Sequence, residues 1–464
     1  IMTQRQNRRK FMKVSAAASA GFWAAGGVSA KASTSAIETI NFACVGVGGK
    51  GTSDSNDAAR HGNIVAICDI DENNLGKAAA KWPKAKKFFD YRKMIEEMAD
   101  SADAVTVSTP DHNHAPASAL ALKAGLNCFT QKPLTHSIEE ARVLGNLAKK
   151  HGVKSQMGNQ GTASSNLRHS AALLKGGVVG DVKEVHVWTN RPVWPQGSDR
   201  PKEEPEVPAH LHWNEFIGPA KFRPYHEAYH PFKWRGWWDF GTGALGDMAC
   251  HTLNMPFMGL NLKDPTSVVA ETTGHNKETY PSSCKITFEF PALGGRGPVT
   301  MYWYDGGNKP PRELFPKRNQ FKDANGNELI NDNEQYNKIL KTGSLVVGNK
   351  GTMFSPGDYG ADSRHTGVLF NDEFVQQSQI DLEVEYAQSP GHFTEFAIAI
   401  QGGPESVSNF PSYAGPLTEV ILLGNLAVWA DGKKIEWDAE NLVATNAPEV
   451  MSIVKKTYHN GYSI

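Results

Sequence analysis

The chain is short of cysteine, of excess charge and of long apolar runs, and each shortage closes off a class of protein. Its five cysteines in 464 residues (Cys44, Cys68, Cys128, Cys250 and Cys284) are odd in number and scattered. They show neither the pairing of a disulfide framework nor the spacing of a zinc site. Three of them fall in apolar runs that read as buried strands, so reduced thiols inside the fold are expected. With 48 basic against 49 acidic residues the formal charge is −1, a balance that argues against nucleic acid or an anionic membrane as the main partner. The apolar run near the N-terminus, Val14 to Val28, is too short and too weakly apolar to span a bilayer. No cysteine lies near the cleavage point such a run would have, which argues against a lipid anchor. No internal repeat is present, and the length suits two domains.

Residues 1–36 do not read as part of a fold. Asn7-Arg8-Arg9-Lys10-Phe11-Met12-Lys13 is basic, with paired arginines, and Val28-Ser29-Ala30 offers the small residues a signal peptidase needs. The segment reads either as a disordered basic tail or as a twin-arginine signal peptide. The second is the expectation, because that route carries proteins already folded around a cofactor. A periplasmic or otherwise exported location follows from it. Unpaired thiols fit a protein that folds in the cytoplasm before leaving it.

The most informative stretch comes next. Ile40-Asn41-Phe42-Ala43-Cys44-Val45 is an apolar strand that runs into Gly46-Val47-Gly48-Gly49-Lys50-Gly51, a turn of the form G-x-G-x-x-G. A second apolar strand ends at Ile67-Cys68-Asp69 in a carboxylate. Gly46 permits the tight turn, with Gly49 inside it; Gly48 lets backbone approach a pyrophosphate, and Gly51 lets the following helix pack close to the strand. The helix start then offers N–H groups and a positive dipole end to phosphates. Asp69 is placed to accept hydrogen bonds from the adenosine ribose hydroxyls and to repel a 2′-phosphate, so the predicted cofactor is NAD rather than NADP.

Apolar strands at 39–45, 64–69, 104–109, 126–130 and 153–157 alternate with helical patterns at 51–61, 72–81, 92–99, 114–124 and 137–151. This predicts an α/β, doubly wound parallel sheet, a Rossmann domain over 37–160. Beyond it come a helix at 166–175, a strand at 182–188 and β-like runs at 267–274, 282–291, 298–304 and 343–348. Ser282 to Phe290 alternates apolar and polar residues, so 161–464 is expected to be an α+β domain on an open, mostly antiparallel sheet. An apolar helix at about 417–429 is expected to pack back on the first domain. Residues 306–342, rich in Asn, Lys, Pro and Gly, read as a long surface excursion.

Parallel sheets bind ligands at the carboxyl ends of their strands, and two more segments end there. One is Val107-Ser108-Thr109-Pro110-Asp111-His112-Asn113-His114, the other Phe129-Thr130-Gln131-Lys132-Pro133-Leu134. Lys132 is either a surface lysine at a strand end or a group beside the reacting end of the cofactor. Farther on, Asp247 and His251 lie one turn apart on one face if a helix begins near Asp247. They are either a carboxylate–imidazole pair able to bind a hydroxyl and take its proton, or an N-cap aspartate with an unrelated histidine.

In this order and at this spacing, the glycine turn, Thr109-Pro110…His114, Lys132-Pro133 and Asp247-x-x-x-His251 resemble the glucose–fructose oxidoreductase/inositol dehydrogenase (Gfo/Idh/MocA) family. The resemblance covers roughly residues 38–440 and points to an exported, twin-arginine branch. It implies NAD(P)-dependent oxidation of CH–OH groups of sugars or polyols, with Lys132, Asp247 and His251 catalytic. Cofactor contacts would come from Gly46, Gly48, Gly49, Gly51, Asp69, Thr109, Pro110, His114 and Lys132. A homo-oligomer, dimer or tetramer, is expected. At one position the chain departs from the family: Gln131-Lys132-Pro133 stands where the family usually has Glu-Lys-Pro, so a charge beside the lysine is missing. Hydride would pass to NAD and the hydroxyl proton to His251 or Lys132, two bases between which the sequence does not choose.

Six of the eleven tryptophans (Trp188, Trp194, Trp213, Trp234, Trp237, Trp238) crowd into 51 residues with Arg191, His226, Tyr229, His230, Lys233, Arg235 and Asp239. They form either a core or interface, or a platform for a pyranose. The second reading makes Trp194, Tyr229, His230, Arg235, Trp237 and Trp238 the carbohydrate contacts. His226-Glu227-Ala228-Tyr229-His230 has the letters of a zinc motif, but that motif works only on a helix, which Pro224 and Pro231 oppose; no metal ligand is assigned. Three functions stand: an exported NAD-dependent oxidoreductase acting on a sugar or glycoside ring hydroxyl; an enzyme that cleaves glycosides through transient oxidation and elimination; and, less favoured, a sugar-binding protein with a vestigial cofactor site.

Overall fold

A computed structural model describes residues 39–323 and 325–464; the expected export signal, 1–36, lies outside them. The first sheet has six strands: β1 (Ile40–Val45), β2 (Gly62–Cys68), β3 (Lys86–Phe88), β4 (Ala104–Val107), β5 (Asn127–Thr130) and β6 (Ser155–Met157). Their order is β3-β2-β1-β4-β5-β6, and every pairing is parallel. β4 and β6 are buried at every residue, as strands covered on both faces must be. Local chemistry starts the helices between them. Asp71 caps Glu72–Lys81 by accepting from Asn73 N–H, and Asp90 caps Tyr91–Met98 through Arg92 N–H. Glu140 reaches back to accept from Ser137 N–H at 2.9 Å at the start of Ile138–His151, and Gly152, at φ 61°, closes it. The edge strand β3 escapes sequence reading because its three residues are largely exposed and carry no apolar run.

The second sheet has ten strands: β7 (Val182–Trp188), β8 (Ser267–Thr272), β9 (Cys284–Phe290), β10 (Val299–Tyr304), β11 (Gly343–Gly348), β12 (Thr352–Pro356), β13 (Gly367–Phe370), β14 (Glu373–Gln376), β15 (Ile435–Asp438) and β16 (Val443–Ala444). The order is β14-β13-β12-β11-β7-β10-β9-β8-β15-β16. All its pairs are antiparallel except β7 with β10. The alternation read in β9 becomes two faces: Cys284, Ile286, Phe288 and Phe290 are buried, with Lys285, Thr287 and Glu289 opposite.

Helix Gly415–Trp429 lies between the sheets. One side meets helix Ile138–His151, and the other meets helix Gly243–Thr252, β8 and β9. Arg142 clamps it from the first sheet's side, donating to both carboxylate oxygens of Glu419 at 2.8 and 2.7 Å. A second late element, helix His392–Ile400, inserts Phe393 and Phe396 into a cluster with Phe42 of β1 and Phe129 of β5.

The expected surface excursion at 306–342 is corrected by the structure. Phe315, Phe321, Ile330, Tyr336 and Leu340 are buried against Trp188, Tyr304, Leu345, Phe354 and Phe374, so this segment covers part of the second sheet. Its apolar residues are spaced without period among polar ones, which hides a covering layer from pattern reading. All five cysteines are buried and free.

Candidate active site

A cavity of about 770 Å³ opens over the carboxyl ends of the first sheet's strands. Gly46, Gly48, Gly49, Asp69, Thr109, Pro110 and Lys132 line one part, and His230, Arg235, Asp247 and His251 line another. At Gly46 and Gly51 the glycine loop leaves room only for glycine. A Cβ on Gly46 (φ 74°) would lie 2.4 Å from Ser108 O, and one on Gly51 would lie 2.0 Å from Gly46 O. One on Gly48 would meet the Asn74 amide at 2.3 Å. Gly51 is thus a packing glycine beneath the cavity. Gly49 precedes helix Lys50–His61, whose first turn has no side-chain cap, and an uncapped helix start at a bare loop suits a pyrophosphate. The residues present fit a dinucleotide.

Asp69 does more than line the cavity. Its Oδ2 accepts from Val47 and Gly48 N–H at 2.9 and 3.0 Å, and its Oδ1 accepts from Asp71 N–H at 2.9 Å. Burial pushes its carboxyl up, against the opposing pull of those three N–H groups. The residue chosen for the ribose therefore also braces the glycine turn.

His114 does not line the cavity. Its buried ring spans two backbone carbonyls, Nδ1 at 2.7 Å from Pro133 O and Nε2 at 2.8 Å from Thr109 O. It ties the Thr109-Pro110 segment to the Lys132-Pro133 turn, which corrects its expected cofactor contact. It sits one residue inside helix His114–Lys123, where the ring is turned into the protein.

Lys132 is drawn into the cavity by Asp247, its Nζ 2.5 Å from Asp247 Oδ1 and 2.9 Å from Asp247 O. Asp247 lies in the second turn of helix Gly243–Thr252 rather than at its start, so it is no N-cap, and His251 follows one turn later. Arg235 Nε reaches Asp247 Oδ1 at 3.3 Å, while its NH1 meets both oxygens of Asp111 at 3.0 Å. Burial alone would raise the Asp247 carboxyl, but Lys132 and Arg235 hold it well below the usual carboxylate range. His251 is buried next to Lys132; burial first, then the lysine charge, depress its imidazole well below the ordinary value. Its Nδ1 is buried without a protein partner.

Four of the six expected carbohydrate contacts belong to packing instead. Tyr229 and Trp237 sit in a cluster with Trp213, Phe216 and Phe240, and Trp237 Nε1 donates to Ala228 O at 2.8 Å. Trp238 stacks on Tyr280 with centroids 3.8 Å apart, beside a separate and smaller cavity. Trp194 is buried, its Nε1 donating to Gln196. Indoles this large are drawn into cores, where area burial outweighs any surface role. His230 and Arg235 do reach the cavity, joined by Trp234, Phe232, Arg191 and Tyr359. Arg191 belongs to the aromatic segment but is not among its expected contacts; Tyr359 lies outside the segment, and no local motif marks it. Residues 226–230 form turns, not the helix a zinc motif requires. No group of three or more His, Cys, Asp or Glu placed to hold a metal occurs among the described residues.

A glycine cradle at a helix start, sharing one cavity with a lysine, a carboxylate and an imidazole, is the arrangement of a dinucleotide-binding oxidoreductase. Residues 40–159 match the model of the GFO_IDH_MocA oxidoreductase family, NAD-binding Rossmann fold, and residues 173–293 match that family's C-terminal alpha/beta domain. The chain belongs to this family, and its cofactor is NAD. It is similar to the 2,7-anhydro-N-acetylneuraminate hydratase of Escherichia coli K12, 26% identical over 161 residues, 35% of this chain and 42% of that protein. An uncharacterized oxidoreductase of Streptococcus pneumoniae is 29% identical over 92 residues, 20% of this chain and 25% of that protein. The chain thus matches less than half the length of these curated relatives. The WlbA dehydrogenase of Bordetella pertussis, solved with NADH and UDP-GlcNAcA, is 17% identical with a TM-score of 0.57, over 86% of this chain and 99% of that one. At that identity the likeness is one of fold.

Proposed function

We propose that the protein is an exported, NAD-dependent oxidoreductase acting on a ring hydroxyl of a sugar or glycoside. The observation that carries this reading is the Lys132–Asp247 contact of 2.5 Å, with His251 one turn away, in the cavity that also holds the glycine cradle. Bound NAD would supply a hydride acceptor. The chain's residues do the rest. Asp247, kept ionised, holds the Lys132 ammonium where it can donate to a substrate oxygen and stabilise negative charge there. His251, kept neutral by burial and by the lysine, lines the cavity with an imidazole free to accept the hydroxyl proton. This division favours His251 as base and Lys132 as the cation. His230, Arg235 and Trp234 offer polar groups and an aromatic face to the sugar.

A second reading is cleavage by transient oxidation and elimination, with the hydride returned to the same substrate. It is favoured by the curated relative named as a hydratase, an activity without net redox change. One experiment separates the two. Purified protein is mixed with a panel of glycosides while the NADH band and the released aglycone are followed together. Reduction of the enzyme's NAD to NADH without aglycone is expected for the oxidoreductase given one glycoside at a time, and aglycone release without net NADH for the cleaving enzyme. Neither signal with any sugar would overturn both.

A further inference from the structure

The turn that carries Lys132 is fastened by a residue from the cofactor loop's own helix. Asp54 lies in Lys50–His61 and is 1% exposed. Its Oδ2 accepts from Gln131 Nε2 at 2.9 Å and from Ser108 Oγ at 2.8 Å, while its Oδ1 is paired with Lys50 Nζ. Gln131 is 5% exposed, and its amide is confined from the far side: a Cβ on Gly158 would lie 2.4 Å from its Nε2. One buried carboxylate therefore joins the glycine-loop helix, the end of β4 and the lysine turn.

The charge logic is specific. A buried carboxylate is tolerated only with donors around it, and here residue 131 must be one of them. Glutamate at 131 would set two carboxylates against each other at this distance, and the contact could form only while they share a proton, which is lost as pH rises. Glutamine avoids that conflict, and the negative charge behind the lysine turn sits on Asp54 instead. Lys50, the other partner of Asp54, lines the cavity beside the glycine loop, so one carboxylate faces both the phosphate seat and the lysine turn.

We propose that Asp54 is the positioning residue for Lys132: it supplies from the cofactor helix the charge that residue 131 lacks, and it demands a neutral donor at 131. This rests on the reading of Lys132 as an acid–base group. The test uses Gln131→Glu, Asp54→Asn and the double variant, which moves the charge to position 131 and reverses the donor. Turnover and KM are measured against pH, and NAD affinity by fluorescence titration. Gln131→Glu is expected to lower kcat roughly ten- to hundredfold at about pH 8. It should recover toward the wild type near about pH 6, where one of the two carboxyls is protonated and donates as the amide did. The double variant should regain most of the lost kcat. Wild-type kcat for Gln131→Glu across the pH range, or a double variant no better than the product of the singles, would overturn the proposal. If the single variants fail to fold, a folded, active double variant supports it and an unfolded one overturns it. Lys132→Ala separates the two readings. If it keeps turnover, the acid–base reading fails and this proposal with it. If it is inactive while Gln131→Glu is unimpaired, only the positioning role fails.

Discussion

His251 and Lys132 carry different halves of one proton transfer, and their variants should fail differently. His251→Ala removes the acceptor and should lower turnover by about two or more orders of magnitude, with NAD affinity little changed, since the imidazole is not expected to hold the adenine half of the cofactor. Lys132→Ala should cost as much and also leave Asp247 facing only Arg235 and the more distant Arg191. Steady-state kinetics beside NAD titration checks both, and near-wild-type turnover in either variant removes that residue from the catalytic set. A separate residue-level expectation concerns Asp305. Buried, it accepts from Cys284 N–H at 2.7 Å and Trp303 Nε1 at 2.9 Å, and burial pushes its carboxyl up to about 7. Because the folded value lies above the unfolded one, its contribution to stability is fullest below about pH 4 and is lost as pH rises through about 7. Asp305→Asn lacks that titration. Its melting temperature should therefore fall less between about pH 5 and pH 8 than the wild type's, and equal falls would disprove the linkage. Much of the site was legible residue by residue where a backbone demand sets the amino acid, as at Gly46 and Gly51. Where a side chain's direction decides, it was not: His114 turns inward to two carbonyls, and Tyr229, Trp194, Trp237 and Trp238 face the core.

At the scale of elements, the helix between the sheets is the most exacting piece. Gly424 lies in it where a Cβ would be 2.5 Å from Leu245 Cδ2 and 2.8 Å from Phe288 Cζ. Leu245 shares its helix with Asp247 and His251. Gly424→Val should thus destabilise by about 1–3 kcal/mol through overpacking, and should lower turnover as well by shifting that helix. A melting curve and a rate measured on the same sample check this; unchanged values for both would mean the interface is looser than its packing indicates. Helix Gly415–Trp429 was legible because it is apolar on nearly every face, and strands β1, β4 and β5 because they are continuous apolar runs. β3 and the buried layer at 306–342 were not, since neither has a period, and both take their places from what they pack against.

For the whole molecule, the expected export signal and the NAD site make one joint claim. A protein carried out already folded would take its cofactor along, and outside the cytoplasm it could not draw on a free nicotinamide pool. Freshly purified, dialysed protein is therefore expected to retain NAD(H), detectable by absorbance, and to show redox-neutral turnover overall. Cofactor-free protein needing stoichiometric added NAD would leave an ordinary dehydrogenase. Replacing Arg8 and Arg9 by lysine should hold the protein in the cytoplasm.

The first sheet's core also bears on the timing of synthesis. Its strands end at Met157, yet Phe393 and Phe396 complete the packing of β1, and the helix braced by Arg142 ends at Trp429. A ribosome making this chain will have released the entire nucleotide-binding sheet long before it makes the segments that seal it. Throughout that interval Phe42 and Phe129 lack Phe393 and Phe396, and that part of the sheet's apolar surface stays open. The cavity, too, is complete only once Tyr359 has been made. Any quality control that reads open apolar surface on this sheet would in effect be checking that the ribosome has reached these late helices.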